Sequence, residues 1–486
     1  MKRFIGLGIV LFWLVMVGLL VHRNLPRTQT PLSPITPAPV VVTQEEWMGI
    51  YQQDQKVGYL QRRITPTAAG AHWEERWLMK LQVLKTIQTI HTEIQADTDQ
   101  HSALTHFSFR LLASSALFQV TGEVSAQEVR GQITTGGETS PFSFPLSQPL
   151  YLPETVQLAL RTTTLQPGEE RQFSIFNPLS MRPDTLTITA LGPDTLSIKG
   201  TPQTVTKIAE RFNGSTVHAW LDQDGKVVKE EAQMGLMLLR ESREEALGSG
   251  WQNTPPPDLV TVAAIPVRGR VQNPRTLTHL QLKLSGSTDP TLFTFPPRQQ
   301  RQDSTLTIVS EDVSRLTSYV LPQQNPEFAS HLAPTPFLQT THPRIVTQVR
   351  QILGEERDAL QVTHKLLDWT YTTLEKTPTV GMPTALQALE SKKGDCNEHA
   401  TLFTALARAA GLPSRVAAGL VYLDGAFYYH AWSEVWLGQW VSVDPVFHQF
   451  PADATHVKFV EGGPEEQTAL LKIIGQVGLE IVADQD

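Results

Sequence analysis

Two stretches of the sequence decide the fold of the C-terminal part, GDCNEHATLFTALARAAGLP (394–413) and FYYHAWSEVWLGQWVSVDP (427–445). The first predicts a helix, because Asp395 is a favourable N-cap and Glu398 completes a capping box three residues later. Gly411 and Pro413 then end the helix. The second stretch predicts two antiparallel strands joined by a turn at 437–439.

Cys396, the single cysteine of the chain, falls in the first turn of this helix. Unpaired N–H groups and the helix dipole favour a thiolate there, so a lowered thiol pKa and a nucleophile are expected. The alternative is a buried, inert cysteine. A single cysteine also excludes an internal disulfide and any multi-cysteine metal site.

A cysteine nucleophile needs a base and a group that orients the base. His430 and Asp444 lie on the two predicted strands, and both have even numbers. They share a face only if the loop between the strands has an odd length or a bulge. A three-residue loop would pair Trp436 with Trp440 and bring the two side chains within diagonal reach, whereas a two-residue loop would separate them.

These motifs, with the segment LFTALARAAGLPSR (402–415) between them, resemble the bacterial transglutaminase-like domain over roughly residues 332–461. The resemblance implies a papain-like Cys-His-Asp triad. By motif position Cys396 is the nucleophile, His430 the general base and acid, and Asp444 the group that orients the imidazole. It implies acyl transfer from a protein or peptide amide through a thioester.

Other residues near the triad have simpler interpretations. His399 is expected to be a packed helix residue rather than half of a metal site with Cys396. Glu434 is expected to hold its hairpin by hydrogen bonds rather than act in catalysis. Nothing in the sequence requires a metal or an organic cofactor.

The rest of the chain is predicted as a series of units. Residues 4–21 carry no charge and would span about 27 Å as a helix, close to the ~30 Å hydrocarbon core. An uncleaved anchor is favoured over a cleaved signal or a core helix. The predicted units are a transmembrane signal anchor at 1–24, a Pro-rich linker at 25–42, a β-rich domain at 43–253, a small β unit at 258–335 and the catalytic domain at 336–486.

The predicted fold class is therefore α+β, with helices packed on an antiparallel sheet in the C-terminal core, antiparallel β domains before it and a transmembrane helix at the start. The predicted location is the inner membrane, with the body on the periplasmic side. At 486 residues the chain is long enough for about three domains.

The predicted partners are a protein or peptide substrate and the membrane. Nucleic acid is excluded, because 40 basic against 48 acidic residues give a net charge of −8 and a pI near 6.0. Two alternatives to an enzyme remain at this point. One is a catalytically silent relative that binds peptide or cell-wall material, and the other is a scaffold whose β domains do the work.

Overall fold

The computed structural model describes residues 40–485, apart from short gaps at 85, 114–115, 161–165, 179–181, 199, 213–214, 287–292, 380, 382–383 and 468–475. Most of this part of the chain is built from an antiparallel sheet, a second, mostly antiparallel sheet, and a group of helices. The first sheet contains the β-rich N-terminal segment, and the second carries the candidate site.

The first sheet has fourteen strands within the described residues. Neighbours in sequence pair as a meander from β8 back to β1, and a second meander runs from β9 to β14, which pairs with β1. In chain order the strands are β1 (Gln44–Gln52), β2 (Gln55–Pro66), β3 (Gly70–Val83), β4 (Thr86–Asp99), β5 (Leu104–Ala113), β6 (Ala116–Val124), β7 (Glu128–Thr135), β8 (Glu138–Pro145), β9 (Glu170–Asn177), β10 (Arg182–Ile198), β11 (Thr201–Phe212), β12 (Ser215–Leu221), β13 (Val227–Glu231) and β14 (Leu236–Glu241).

Short turns set the register of this sheet. Gln52 pairs with Gln55, so Gln53 and Asp54 form a two-residue turn, and both have positive φ angles, 49° and 65°. Positive φ at both positions is the geometry that matches the twist of paired strands. Gly225, with φ 70°, similarly serves the turn before β13.

The second sheet has nine strands within the described residues, in the order β17-β18-β16-β25-β15-β22-β21-β24, with β23 paired to β22. Strands from 258–335 and from 336–486 thus share one sheet, so no sheet boundary separates those two predicted units. The strands are β15 (Ile265–Arg268), β16 (His279–Gly286), β17 (Gln299–Gln302), β18 (Thr305–Val309), β21 (Ser414–Leu423), β22 (Ala426–Trp436), β23 (Trp440–Val443), β24 (Val457–Glu461) and β25 (Val477–Gln485), while β19 (Glu375–Lys376) and β20 (Lys393–Gly394) form a separate parallel pair.

One buried side chain joins the two ends of this sheet. Gln299 on β17 donates from Nε2 to the carbonyl oxygen of Lys458 on β24 at 2.7 Å. Its Oε1 accepts from the backbone nitrogen of Lys458 at 2.8 Å. The Gln299 amide therefore takes the place of a strand backbone between β17 and β24.

The helices described are α1 (Pro153–Leu160), α2 (Arg243–Leu247), α3 (Leu259–Ala263), α4 (Ala329–Leu332), α5 (Pro343–Leu353), α6 (Ala359–Thr373), α7 (Ala385–Ser391), α8 (Cys396–Ala409) and α9 (Pro464–Gln467). Helix α8 is central, and Leu402, Phe403 and Leu406 are fully buried in a core shared with α5, α6 and α7. Burial of such side chains stabilises a fold by about 2 kcal/mol each.

The β-branched composition of residues 260–267 predicts a strand, which is only partly present in the structure. The structure has helix α3 followed by the four-residue strand β15. Asp258 accepts a hydrogen bond from the Val260 nitrogen and caps this short helix, a local contact that outweighs the β-branched composition.

Phe337 connects the first sheet to the helices. Its ring stacks on that of Phe118 of β6 at 6.1 Å. Its backbone oxygen accepts from the nitrogen of Ala385, the first residue of α7. The N-terminal sheet is thus in direct contact with the helical group that contains α8.

Two predictions are corrected at this level. The predicted α+β class is wrong, because the described residues are mostly β, with 51% strand and 20% helix, and the strands form large antiparallel sheets. Among the described residues no helix has the length and apolar character needed to cross a membrane, and the predicted anchor at 1–24 lies outside those residues. This finding corrects the transmembrane helix, the membrane partner and the inner-membrane, periplasmic placement that followed from it.

Candidate active site

Cys396 is the first residue of α8, as predicted. Asp395 is the N-cap, and its Oδ1 accepts from the Asn397 nitrogen at 2.9 Å. Glu398 makes the reciprocal hydrogen bond, in which its Oε2 accepts from the Asp395 nitrogen at 2.9 Å. This capping box fixes the start of the helix and therefore the position of the thiol.

The thiol lies against the strand that carries the predicted base. The backbone N–H of Ala431, the residue after His430, donates to the sulfur of Cys396. Tyr429, the residue before His430, donates from its hydroxyl to Oδ1 of Asn397 at 2.7 Å. Both neighbours of His430 thus contact the first turn of α8.

The charge state of Cys396 differs from the prediction. Burial, followed by the carboxylate of Asp395, raises the pKa of the thiol well above its ordinary value, and the Ala431 N–H only partly offsets this. The expected lowering by the helix N-terminus is therefore wrong for the free protein. Desolvation and a neighbouring negative charge both disfavour a thiolate, and together they exceed the effect of the dipole.

His430 and Asp444 lie side by side, in the register that the parity argument requires. Trp436 pairs with Trp440, so the hairpin loop has three residues, 437–439. The Nε2 atom of His430 and Oδ2 of Asp444 are 2.7 Å apart, and both side chains are buried. Because a carboxylate only accepts, Nε2 carries the proton, which leaves Nδ1 as the basic nitrogen of a neutral ring.

Asp444 is held as a carboxylate by its surroundings. Its Oδ1 accepts from the backbone nitrogens of Val446 and Phe447 at 2.6 and 3.0 Å. Burial opposes ionisation of this carboxyl, but His430 and His456 outweigh burial and hold its pKa far below the ordinary range. The Asp444 carboxylate therefore stays negative through the neutral pH range.

His456 belongs to the site although the sequence analysis does not include it. Its Nε2 lies 2.9 Å from the same Oδ2 of Asp444 that contacts His430. Its Nδ1 lies 3.1 Å from the carbonyl oxygen of Asp453 and 3.2 Å from Oδ1 of that residue. The only available sequence signal is Asp453 three residues before His456, in a loop where strand parity gives no direction.

Aromatic rings enclose the His430 imidazole. The Phe447 ring stacks on the imidazole with ring centroids 5.1 Å apart. The ring of Trp432, on the same strand as His430, stacks at a centroid distance of 6.3 Å. The guanidinium of Arg275 lies 4.4 Å from the Phe447 ring centroid. These contacts limit rotation of the imidazole and restrict water around its bond to Asp444.

Glu434 and His399 have structural roles here, in line with their predicted interpretations. Glu434 forms ion pairs with Lys458 and Arg415, each at 2.7 Å. Burial opposes ionisation of Glu434, but these two cations hold the pKa of its carboxyl below the ordinary value. His399 contacts the Asp395 backbone oxygen through Nδ1 at 2.7 Å, and burial lowers the pKa of its ring.

His430, Asp444 and His456 also form the only group of three candidate metal ligands among the described residues, with ligand atoms within 4.8 Å of one another. Both histidines direct Nε2 at one carboxylate oxygen, at hydrogen-bond distance. The arrangement is that of two imidazoles donating to a shared carboxylate. We therefore assign these residues to a hydrogen-bonded cluster.

Comparison with known proteins identifies the domain. Residues 346–445 match the family described as the Transglutaminase-like superfamily, and this range contains Cys396, His430 and Asp444. The chain therefore contains a transglutaminase-like domain at 346–445, which confirms the resemblance seen in the sequence. No curated protein gives a match.

Several solved structures are similar to this chain at low identity. A candidate cysteine protease from Cytophaga hutchinsonii is 16% identical, with a TM-score of 0.30, over 46% of this chain and 85% of that one. A candidate protease from Parabacteroides distasonis is 12% identical, with a TM-score of 0.20, over 70% and 69%. A β-barrel-like protein of a domain of unknown function from Brucella abortus is 7% identical, with a TM-score of 0.33, over 42% and 100%.

Proposed function

We infer that this protein is a cysteine acyl-transfer enzyme that acts on a protein or peptide amide, with Cys396 as nucleophile, His430 as base and acid, and Asp444 as the group that orients His430. The observation that carries this proposal is the 2.7 Å contact between His430 Nε2 and Asp444 Oδ2 beside the first turn of α8. The transglutaminase-like domain at 346–445 supports the same class of chemistry.

The raised thiol pKa indicates how the reaction starts. Cys396 holds its proton in the free protein, so Nδ1 of His430 takes that proton as the sulfur attacks the amide carbonyl carbon. A sulfur–carbon bond forms, and the negative charge moves to the carbonyl oxygen. The backbone N–H of Cys396, at the start of α8, is a donor for this oxyanion.

The tetrahedral intermediate then collapses. The carbon–nitrogen bond breaks, and His430 returns the proton to the leaving amine, which gives a thioester on Cys396. Water or a second amine attacks the thioester and loses its proton to His430. The carbon–sulfur bond then breaks, and His430 returns its proton to the departing sulfur, which restores the thiol and the neutral imidazole.

One observation favours a second candidate function, a silent transglutaminase-like protein whose cleft binds peptide or cell-wall material. Burial and Asp395 raise the pKa of Cys396, and a thiol that does not ionise is a weak nucleophile. The two candidates differ in whether His430 activates the thiol.

The test is the rate of Cys396 alkylation by iodoacetamide as a function of pH, in the parent protein and in His430→Ala. If His430 is the base, the parent reacts readily near neutral pH and the variant is slower there by about 100-fold. At high pH the two rates converge, because hydroxide ionises the thiol without help.

His448→Ala is the matched control, since His448 pairs with Asp368 at 2.6 Å on the exposed surface. Its rate should equal that of the parent protein. Equal, slow rates in all three proteins at neutral pH would overturn the enzyme proposal in favour of the silent binding protein.

A further inference from the structure

His456 is a fully buried histidine that the triad chemistry does not use. It lies in the loop between β23 and β24, and its exposed fraction is 0%. A neutral histidine at such a position needs one donor and one acceptor as partners. The hydrogen-bond partners of His456 in the structure are all acceptors.

Every partner of the His456 ring is an acceptor. Nε2 faces the carboxylate of Asp444 at 2.9 Å. Nδ1 faces the carbonyl oxygen and the carboxylate of Asp453 at 3.1 and 3.2 Å. A neutral ring has one N–H and would leave a lone pair directed at an acceptor oxygen, whereas an imidazolium donates on both sides.

The surrounding charges agree with a protonated ring. Asp444 and Asp453 face it from two sides, His430 lies 5.5 Å away from centroid to centroid, and Arg275 pairs with Asp453 at 3.0 Å. Burial opposes a charge on His456, but Asp453 and Asp444 exceed that effect and raise the pKa of the imidazole.

We propose that His456 is a positioning residue, a buried imidazolium that fixes the carboxylate of Asp444 and offsets its charge on the side that faces His430. The proposal rests on the proposed function for its link to reactivity. The charge of His456 itself is independent of any activity.

His430 and His456 both contact Oδ2 of Asp444. If Asp444 faced His430 alone, its full charge would favour a proton on both nitrogens of that ring. A neutral ring that can take the thiol proton would then be less favoured. With His456 charged on the other side, Oδ2 still orients His430 through Nε2 but attracts a second proton less strongly.

The charge is tested by nitrogen NMR of the histidine rings in full-length Cys396→Ala, which cannot react. At about pH 7.5 an ordinary histidine is mostly neutral. His456 is expected to retain both ring protons there, and Asp453→Asn is expected to lower the pH at which it loses one. A neutral His456 at that pH overturns the proposal whether or not the protein is an enzyme.

The effect on the base is tested with His456→Gln, which keeps an amide donor for Asp444 but carries no charge. The acid limb of Cys396 alkylation by iodoacetamide should move up by about one pH unit, because His430 then holds its proton more strongly. In the Cys396→Ala background, the His430 ring resonances should titrate at a higher pH by a similar amount.

His448→Gln is the control, because it removes a histidine from a surface pair with Asp368. A purely structural role for His456 predicts lower stability with an unmoved acid limb and an unmoved His430 titration, and that result overturns the proposal. Unreactive Cys396 in the parent protein counts against the proposed function, while the NMR titrations still decide the role of His456.

Discussion

Glu434 shows how much can depend on one buried charged side chain. It has an exposed fraction of 3% and binds both Lys458 and Arg415. Lys458 is as deeply buried, at 2%. Burying these charges is tolerated because each has a close partner.

Glu434→Gln should therefore destabilise the protein by about 3 kcal/mol, since it leaves buried cationic groups without their central carboxylate. Urea unfolding at pH 7 measures the change. Because the pKa of Glu434 is lowered in the folded protein, its contribution is present above the ordinary value of 4.5 and is lost as the pH falls. The difference between parent and variant should shrink on acidification.

Glu390→Gln is the comparison, because Glu390 pairs with Arg344 on the surface, where ion pairs contribute less than about 1 kcal/mol. Equal losses in both variants, or a difference that grows at low pH, would show that the Glu434 network does not work in this way.

The residues of the site could be predicted where a regular element fixes their direction. Cys396 follows from a capping box, and the His430–Asp444 pair follows from strand parity. His456 could not be predicted in this way. Its direction depends on the path of the loop from Pro445 to Thr455, which long-range contacts such as that of Arg275 with Asp453 hold in place.

At the level of elements, the start of α8 combines two effects of Asp395 with opposite consequences. Its side chain caps the helix and positions the thiol. Its charge disfavours ionisation of Cys396, and burial together with this charge also raises the pKa of Glu398 to about 8. The cap and the charge can be separated by one substitution, because asparagine caps a helix as well as aspartate does.

Asp395→Asn should lower the pKa of the thiol and increase the rate of Cys396 alkylation near neutral pH several-fold. The helix should keep its cap, so the unfolding free energy should change by at most about 1 kcal/mol. The pH dependence of alkylation and urea unfolding measure the two effects. Asp358→Asn, at the N-cap of α6, is the control and should leave the thiol unchanged. A slower or unchanged thiol in Asp395→Asn would contradict the assigned role of the Asp395 charge.

Elements with strong local signals were predictable, and those that depend on distant partners were not. The helices at 343–353, 359–373 and 396–409 have caps and apolar periodicity in the sequence. In contrast, β15 pairs with β22 and with β25, which begins more than 200 residues later, and no local pattern indicates such a partner.

At the scale of the whole molecule, the first sheet and the helical group meet at Phe337. This ring is 8% exposed and belongs to the same apolar cluster as Phe118 and Phe107 of the first sheet. Its backbone is bonded to the start of α7. Because Phe337 contacts both the first sheet and α7, we expect the loss of its side chain to destabilise both.

Phe337→Ala should lower the unfolding free energy by about 3 kcal/mol, the usual cost of removing a buried phenylalanine ring. Amide hydrogen exchange should become faster in both β6 and α7. Phe173→Ala, in the core of the first sheet away from α7, is the comparison and should speed exchange in that sheet without affecting α7. Faster exchange in β6 alone for Phe337→Ala would indicate that the two parts are energetically independent.

The overall balance of strand and helix was not predictable from the C-terminal motifs. Those motifs describe a helix-rich stretch, whereas the fourteen described strands of the first sheet lie before it and pair largely with their neighbours in sequence. The merging of 258–335 with the C-terminal sheet depends on β16 pairing with β25, across almost 200 residues. Such pairings form between strands that are distant in sequence, and no local sequence pattern predicts them.

The side chain of Gln299 closes the second sheet between β17 and β24. Along other edges a ladder of backbone hydrogen bonds would have to separate, but between β17 and β24 a single amide spans the gap. Arg298 beside it donates to the carbonyl oxygens of Ala452 and Asp453, in the loop that carries His456. Separation of β17 from β24 would therefore also pull on the loop that holds His456 against Asp444.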